Sequence, residues 1–120
     1  MNDAQVPVPP PERMATVLST IAAQARRTNL VRAAELRAAL ERAASQDLDA
    51  AGWAAAERTA HQLAGSAGTF GYFGVSELAR SLERLLAQAG SAELGPAQLE
   101  QAASMLDQVG AQLAREPDQG

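Results

Sequence analysis

The chain has 120 residues, about the length of one domain, with a formal net charge of -4. Its hydrophobic fraction is 47%, much of it alanine, and only 3% of the residues are aromatic, which suits helix–helix packing better than a β-sheet. It has one histidine, no cysteine and no lysine, which excludes disulfides, thiolate catalysis, Cys-based or His-rich metal sites, Schiff-base chemistry and a Walker-type phosphate lysine.

The N-terminal third of the chain predicts a tail followed by helix. Residues 1–11, MNDAQVPVPPP, are rich in proline and lack periodicity, so we expect a flexible tail or an interdomain linker. From Glu12 onward, the spacing i, i+3, i+4, i+7 predicts an amphipathic helix that ends near Arg26-Arg27. Thr28-Asn29 offers capping oxygens for a second helix. The pattern leaves open whether these are two helices or one bent helix. The apolar positions are Met14, Val17, Leu18, Ile21, Ala22, Ala25, Leu30, Ala33, Leu36, Ala39, Leu40 and Ala43.

Three more helices are predicted after the polar break at residues 45–49. Asp47 or Asp49 is the expected N-cap of a helix over residues 53–70. The glycines in residues 71–74 end that helix, and we expect either Tyr72 or Phe73 to plug the end of the bundle. Ser76 is a candidate N-cap of the next helix, and Pro96 suits the first turn of the last one. The inward positions of these last two helices are Leu78, Ala79, Leu82, Leu85, Leu86, Ala89, Leu99, Ala102, Ala103, Leu106, Val109 and Leu113.

The predicted helices are joined by short connections. Such an order favours an all-α fold, an antiparallel up-and-down helical bundle over residues 12–115. Gly110 lies inside the last predicted helix and indicates either a close helix contact or late fraying. Residues 116–120 are expected to be a disordered tail.

The histidine stands on the polar side of its helix. At about 100° per residue, His61 lies roughly 140° from the middle of the apolar side, so its imidazole is expected in solvent. Its neighbours on that outer side are small or charged: Ala54, Glu57, Arg58, Ala64, Gly65 and Gly68. Glycine within a helix costs about 0.5–1 kcal/mol relative to alanine. The two glycines are explained if a partner must come close to the imidazole.

Residues 61–71, HQLAGSAGTFG, resemble the signature of histidine-containing phosphotransfer (HPt) domains, H-x-L-K-G-S-[SA]-x-[NT]-[LF]-G. The clear departure is Ala64, where the family usually has lysine. The resemblance extends to Glu83 in the A-x-x-L-E pattern that often follows. It implies a four-helix bundle with an additional short N-terminal helix.

The resemblance also implies the chemistry and the partners. His61 would accept a phosphoryl group from the aspartate of a receiver domain, or from a hybrid sensor histidine kinase, and pass it to a response regulator. The chain would need no cofactor or metal of its own, because the Mg²⁺ ion belongs to the receiver. Gly65 and Gly68, with Glu57 beside them, would form the docking surface. Leu63 and Phe70 would pack the motif helix into the bundle.

The missing lysine raises the question of which residue supplies positive charge near the phosphate. Helical geometry suggests Arg58, one turn before His61, as a partial replacement for the lysine at the Ala64 position. Arg84 is a second candidate, and Glu83 or Gln88 is a candidate for orienting the imidazole. Each of these residues also fits the role of an ordinary solvated surface residue.

The sequence also bears on functions other than a phosphorelay. Neutral imidazole is a good nucleophile near pH 7, but the chain has no nucleotide loop or acidic metal cluster and is not expected to be a stand-alone enzyme. One alternative is a docking module that binds receiver or kinase domains without being phosphorylated. Another is a helical oligomerisation domain. We expect a monomeric, cytoplasmic protein or kinase domain that does not bind nucleic acid and has no membrane span.

Overall fold

A computed structural model describes residues 10–89 and 94–117. These residues form helices and no strand, which confirms the all-α prediction. The helices are α1 (Pro11–Ala44), α2 (Ala50–Thr69), α3 (Phe73–Gln88) and α4 (Pro96–Leu113). Most of the predicted N-terminal tail (residues 1–9) and the end of the C-terminal tail (residues 118–120) lie outside the described residues, and so does the segment 90–93.

The first two predicted helices are one continuous helix of 34 residues, so no separate additional helix precedes the bundle within residues 10–89. The pattern leaves open two helices or one, and the structure has one helix without a boundary at residues 26–29. Asn29 is not a cap but a buried residue, only 1% exposed, and its side-chain amide donates to Ser66 Oγ across the interface with α2 (3.2 Å). Arg32 donates to the side-chain oxygen of Asn29, Oδ1, at 2.8 Å. Because both polar ends of Asn29 are satisfied, α1 continues through this position without a break.

The N-terminal part of α1 extends beyond the bundle. Of the apolar residues predicted for this helix, Ala33, Leu36 and Leu40 are buried. The larger side chains nearer the N-terminus stay exposed, as does Leu30 further along: Met14, Val17, Leu18, Ile21 and Leu30. The amphipathic pattern therefore predicts the helix correctly, but its apolar stripe is covered only along the C-terminal half.

Both ends of α2 follow local rules. Asp49 is the N-cap, as one of the two predicted candidates, and its carboxylate accepts from the Gly52 amide at 2.8 Å. Such a cap stabilises a helix by about 1 kcal/mol. At the other end Gly71 has φ 86°, and the amides of Gly71 and Tyr72 donate to the carbonyls of Gly68 and Ala67. This Schellman ending reverses the chain within three residues, so α3 begins at once beside α2.

The helices contact one another in ring order: α1 with α2, α2 with α3, α3 with α4, and α4 with α1. Their shared core contains most of the predicted inward residues, and Tyr72 plugs one end while Phe73 is 52% exposed. Gly110 makes no close contact, because a Cβ atom there would meet nothing within 4 Å. The buried residues common to this core include Leu36, Ala60, Leu63, Ala67, Val75, Leu82, Leu86, Ala102, Leu106, Val109 and Leu113.

The contact between α2 and α3 is close because its residues are small. Ser76, predicted as the N-cap of α3, lies inside the helix, since α3 begins three residues earlier. It is buried and its hydroxyl donates to the Ala64 carbonyl at 2.8 Å. Gly68 sits opposite, and a Cβ atom on it would lie 3.2 Å from Ser76 Oγ. Two backbones can approach this closely only with side chains of this size.

None of the helices in the described parts of the chain combines the length and the hydropathy that a membrane span requires.

Candidate functional site

His61 projects from the middle of α2 into solvent, with 75% of its side chain exposed. The prediction that the imidazole faces outward therefore agrees with the structure. The ring is held at one side only: its Nδ1 atom lies 3.0 Å from Oε2 of Glu83 on α3. The Glu83 side chain is 29% exposed and sits partly in the groove between the two helices. A partly buried carboxylate thus fixes the orientation of an exposed imidazole.

The contact with Glu83 also assigns different roles to the two ring nitrogens. An ionised carboxylate can only accept hydrogen bonds, so Nδ1 carries the proton and donates it. In the neutral ring, the lone pair then belongs to Nε2. Nε2 has no hydrogen-bond partner among the described residues and is the ring atom available to a reagent that comes from solvent. This pairing was foreseen only as one of two options, Glu83 or Gln88.

His61 opens into a cleft between α2 and α3 with a volume of about 370 Å³. Gly65 lies in the wall of this cleft and also in the wall of a second one, of about 560 Å³, beside Phe73. The cleft around the imidazole combines small side chains with charges of both signs: Glu57, Ala64, Gly65, Arg80, Glu83, Arg84 and Ala87. The surface beside the histidine is therefore open, and its charge comes from side chains on both helices.

The two glycines beside His61 have different surroundings. A Cβ atom added to Gly65 would meet no atom within 4 Å, so nothing inside the chain explains the missing side chain. Gly68, in contrast, faces Ser76 Oγ and is explained by the packing of α2 on α3. The sequence interpretation assigns both glycines to the approach of a partner. Packing within the chain offers another explanation for Gly68 and none for Gly65.

The residues expected near the phosphate are only partly brought together. Ala64 lines the cleft but is 3% exposed, so its placement on the outer, solvated side was wrong: it packs against α3. Arg84 lines the cleft and donates to Ser81 Oγ at 3.1 Å. Arg58 is exposed and is not among the residues that line the cleft. Glu57 does line the cleft, as expected for the docking surface.

One charged residue of the His61 cleft was missed from the sequence. Arg80 lines both clefts, on either side of Gly65. It lies four residues after Ser76 and three before Glu83, so all three share the face of α3 that meets α2. That spacing is a signal that could have identified Arg80 once Glu83 was considered as the partner of the histidine.

This arrangement suits the acceptance of a small electrophilic group from a partner. It offers an oriented nucleophilic nitrogen, open space beside it, and carboxylates and guanidinium groups around the opening. Groups of three or more His, Asp or Glu side chains that could hold a metal ion are absent from the part of the chain that the structure describes.

The family comparison agrees with this geometry. A family model described as "Hpt domain" matches residues 14–112, from the first turns of α1 almost to the end of α4. Neither the curated proteins nor the solved structures contain a significant match. Hpt domains have phosphotransfer-related roles in two-component signalling, where they interact with receiver domains and kinases. Because the matched segment covers most of the sequence, the chain belongs to the Hpt domain family.

Proposed function

We propose that this protein is the histidine phosphotransfer component of a multistep phosphorelay. His61 accepts a phosphoryl group from the aspartate of a receiver domain, which can belong to a hybrid kinase, and passes it to a response regulator. The observation that carries the proposal is the 3.0 Å contact between His61 Nδ1 and Glu83 Oε2 on an otherwise exposed ring. It leaves Nε2 with a lone pair directed at solvent, as a phosphoacceptor needs.

In the transfer step, the Nε2 lone pair attacks the phosphorus of the receiver's aspartyl phosphate and forms the N–P bond. The P–O bond breaks, and its electron pair leaves with the aspartate carboxylate. The imidazole keeps its Nδ1 proton and becomes positively charged, and the Glu83 carboxylate stabilises that charge. The reverse step regenerates the neutral ring. Glu83 therefore acts on the reaction through the imidazole, by fixing its orientation and its tautomer.

The partner supplies the remaining machinery. Phosphoryl transfer depends mainly on positioning and on neutralisation of charge, and the Mg²⁺ ion expected for this purpose lies in the receiver domain. The docking surface that we assign to the receiver surrounds the open position at Gly65. It includes the exposed ring of Phe73 beside Gly68, with Glu57 on the far side of His61. An exposed aromatic ring near the open position at Gly65 favours contact with another protein.

The first experiment is phosphoryl transfer from a panel of phosphorylated receiver domains to the full chain, with receiver binding measured in parallel. We expect at least one receiver to transfer, giving an acid-labile and alkali-stable label. Binding without label from any receiver would contradict the proposal and favour the non-phosphorylated docking module, which the alanine at position 64 also allows. Self-association without label or receiver binding would favour the oligomerisation domain.

Substitution of Glu83 tests the role given to the carboxylate. Glu83→Ala should slow transfer from the receiver about tenfold, the lower end of the effect of losing a group that orients a metal-bound histidine. Glu83→Gln keeps an acceptor for Nδ1 but loses the negative charge, so its rate should fall between those of the native chain and Glu83→Ala. The measurement is the single-turnover rate of label transfer. Equal rates for the native chain and Glu83→Ala would show that the contact does not act in the reaction.

A further inference from the structure

A phosphoryl group on His61 adds negative charge that no residue of the motif in this chain neutralises. The group adds about two negative charges near neutral pH. The imidazole already contacts the carboxylate of Glu83, and Glu57 lines the same cleft. In this family a lysine would stand at position 64, but this chain has alanine there and contains no lysine at all. Some other cation must therefore face the cleft if the phosphorylated state is to be stabilised.

The arginines near the site differ in their availability. Arg58 does not line the cleft, and Arg84 donates a hydrogen bond to Ser81 Oγ at 3.1 Å. Arg80 lines both the His61 cleft and the neighbouring cleft beside Phe73. No hydrogen bond or ion pair joins its guanidinium to another residue within the described ranges 10–89 and 94–117. Its donors are therefore free to bind an anion.

The position of Arg80 on α3 matches the position of the histidine on α2. It lies one turn before Glu83, which contacts His61, and one turn after Ser76, which contacts the Ala64 carbonyl. Arg80 therefore lies opposite residues 61–65 and lines the same cleft as Gly65, whose side has open space. Because Ala64 is small and buried against α3, it leaves this part of the groove free for the long side chain of Arg80.

We propose that Arg80 binds the phosphoryl group carried by His61 and replaces the lysine that the motif lacks. This inference rests on the proposed function. The guanidinium donates to the phosphoryl oxygens from the α3 side, while Glu83 holds the opposite edge of the ring. The fork of N–H donors suits phosphate better than a single ammonium group does. In this chain the positive charge therefore comes from α3, and not from the histidine helix α2, where the family usually has its lysine.

The test uses two phosphoryl donors on the full chain: a phosphorylated receiver domain, and phosphoramidate, which transfers its phosphoryl group to histidine and releases ammonia. Arg80→Ala should slow the formation of phosphohistidine about tenfold with both donors, because the lost contact is to the phosphoryl group and not to the receiver. Arg80→Lys should stay within about threefold of the native rate, since a positive charge is retained. Arg13→Ala makes the same change in net charge on the part of α1 beyond the bundle and should leave both rates unchanged.

The outcomes separate this inference from the proposed function. If the native chain is labelled by neither donor, the proposed function itself is wrong, and the inference with it. If the native chain is labelled and Arg80→Ala reacts at the same rate, only the role of Arg80 is wrong. Slowing with the receiver alone would make Arg80 a docking contact and overturn the phosphoryl contact. If Arg58→Ala slows the formation of phosphohistidine and Arg80→Ala does not, the positive charge comes from the histidine helix. That result would also overturn the inference.

Discussion

His61→Gln should reduce phosphorylation of the chain to background with every receiver domain and with phosphoramidate. The chain has no other histidine and no cysteine, so no second side chain of these types can take the phosphoryl group. Glutamine offers an amide in place of a nucleophilic ring nitrogen. The loss should be complete, and it is the largest functional effect that we expect from a single substitution.

The fold should tolerate this change. The His61 side chain is 75% exposed and takes no part in the core, so the far-ultraviolet circular dichroism and the melting temperature should stay close to those of the native chain. Receiver binding should also persist, which separates a loss of chemistry from a loss of docking. A label that remained on His61→Gln would place the acceptor at another residue and contradict the assignment.

The same preparation tests which ring nitrogen reacts. Because Nδ1 donates to Glu83, phosphorylation is expected on Nε2. The two phosphohistidine isomers differ in their nuclear magnetic resonance spectra, so the spectrum of the labelled native chain distinguishes them. A label on Nδ1 would require the contact with Glu83 to break during the reaction and would contradict the mechanism proposed above.

The sequence predicts best what depends on neighbours along the chain. The Asp49 cap, the ending of α2 after Phe70, the start of α4 at Pro96 and the exposure of His61 all follow from residues within a few positions of one another. Each of these predictions agrees with the structure because the cause is local.

Two of the errors concern polar residues whose partners are distant in sequence. Asn29 was interpreted as a cap because asparagine favours helix ends, yet its partner Ser66 lies 37 residues away. Ser76 was assigned to a helix start for the same reason, but its hydroxyl bonds to Ala64 on α2, 12 residues away. Small polar residues satisfy either a helix end or a helix–helix contact, and only the packing of the helices decides between them.

In the candidate site, too, the residues on one helix are predicted from the sequence, and those from the neighbouring helix only in part. The motif predicts His61 and Gly65 as site residues without any structure, because it is one continuous segment, most of it on α2. The charges that surround the imidazole come partly from α3, and which of its residues face His61 depends on how the two helices pack. Glu83 was therefore one of two options, and Arg80 was not considered.

Gly65→Leu should reduce phosphoryl transfer from a receiver domain at least 100-fold, while phosphoramidate still labels His61 within about threefold of the native rate. The structure has open space at this position, since a Cβ atom would meet nothing within 4 Å. A leucine side chain would fill the approach to His61 and hold the receiver away from it. A displacement of about 1 Å in the reacting groups can cost 100-fold in rate. Gly65→Ala, which adds only the Cβ atom, should have a smaller effect.

The matched control is Gly110→Leu. Gly110 also lies inside a helix with no atom within 4 Å of an added Cβ, but it belongs to α4, which does not contact α2. Both substitutions replace a helical glycine with a strong helix former and should raise stability by about 0.5–1 kcal/mol. Only the change at residue 65 should slow phosphoryl transfer from the receiver domain. Undiminished transfer to a folded Gly65→Leu chain would mean that the receiver does not approach His61 across this face. The missing side chain at position 65 would then have no role in docking.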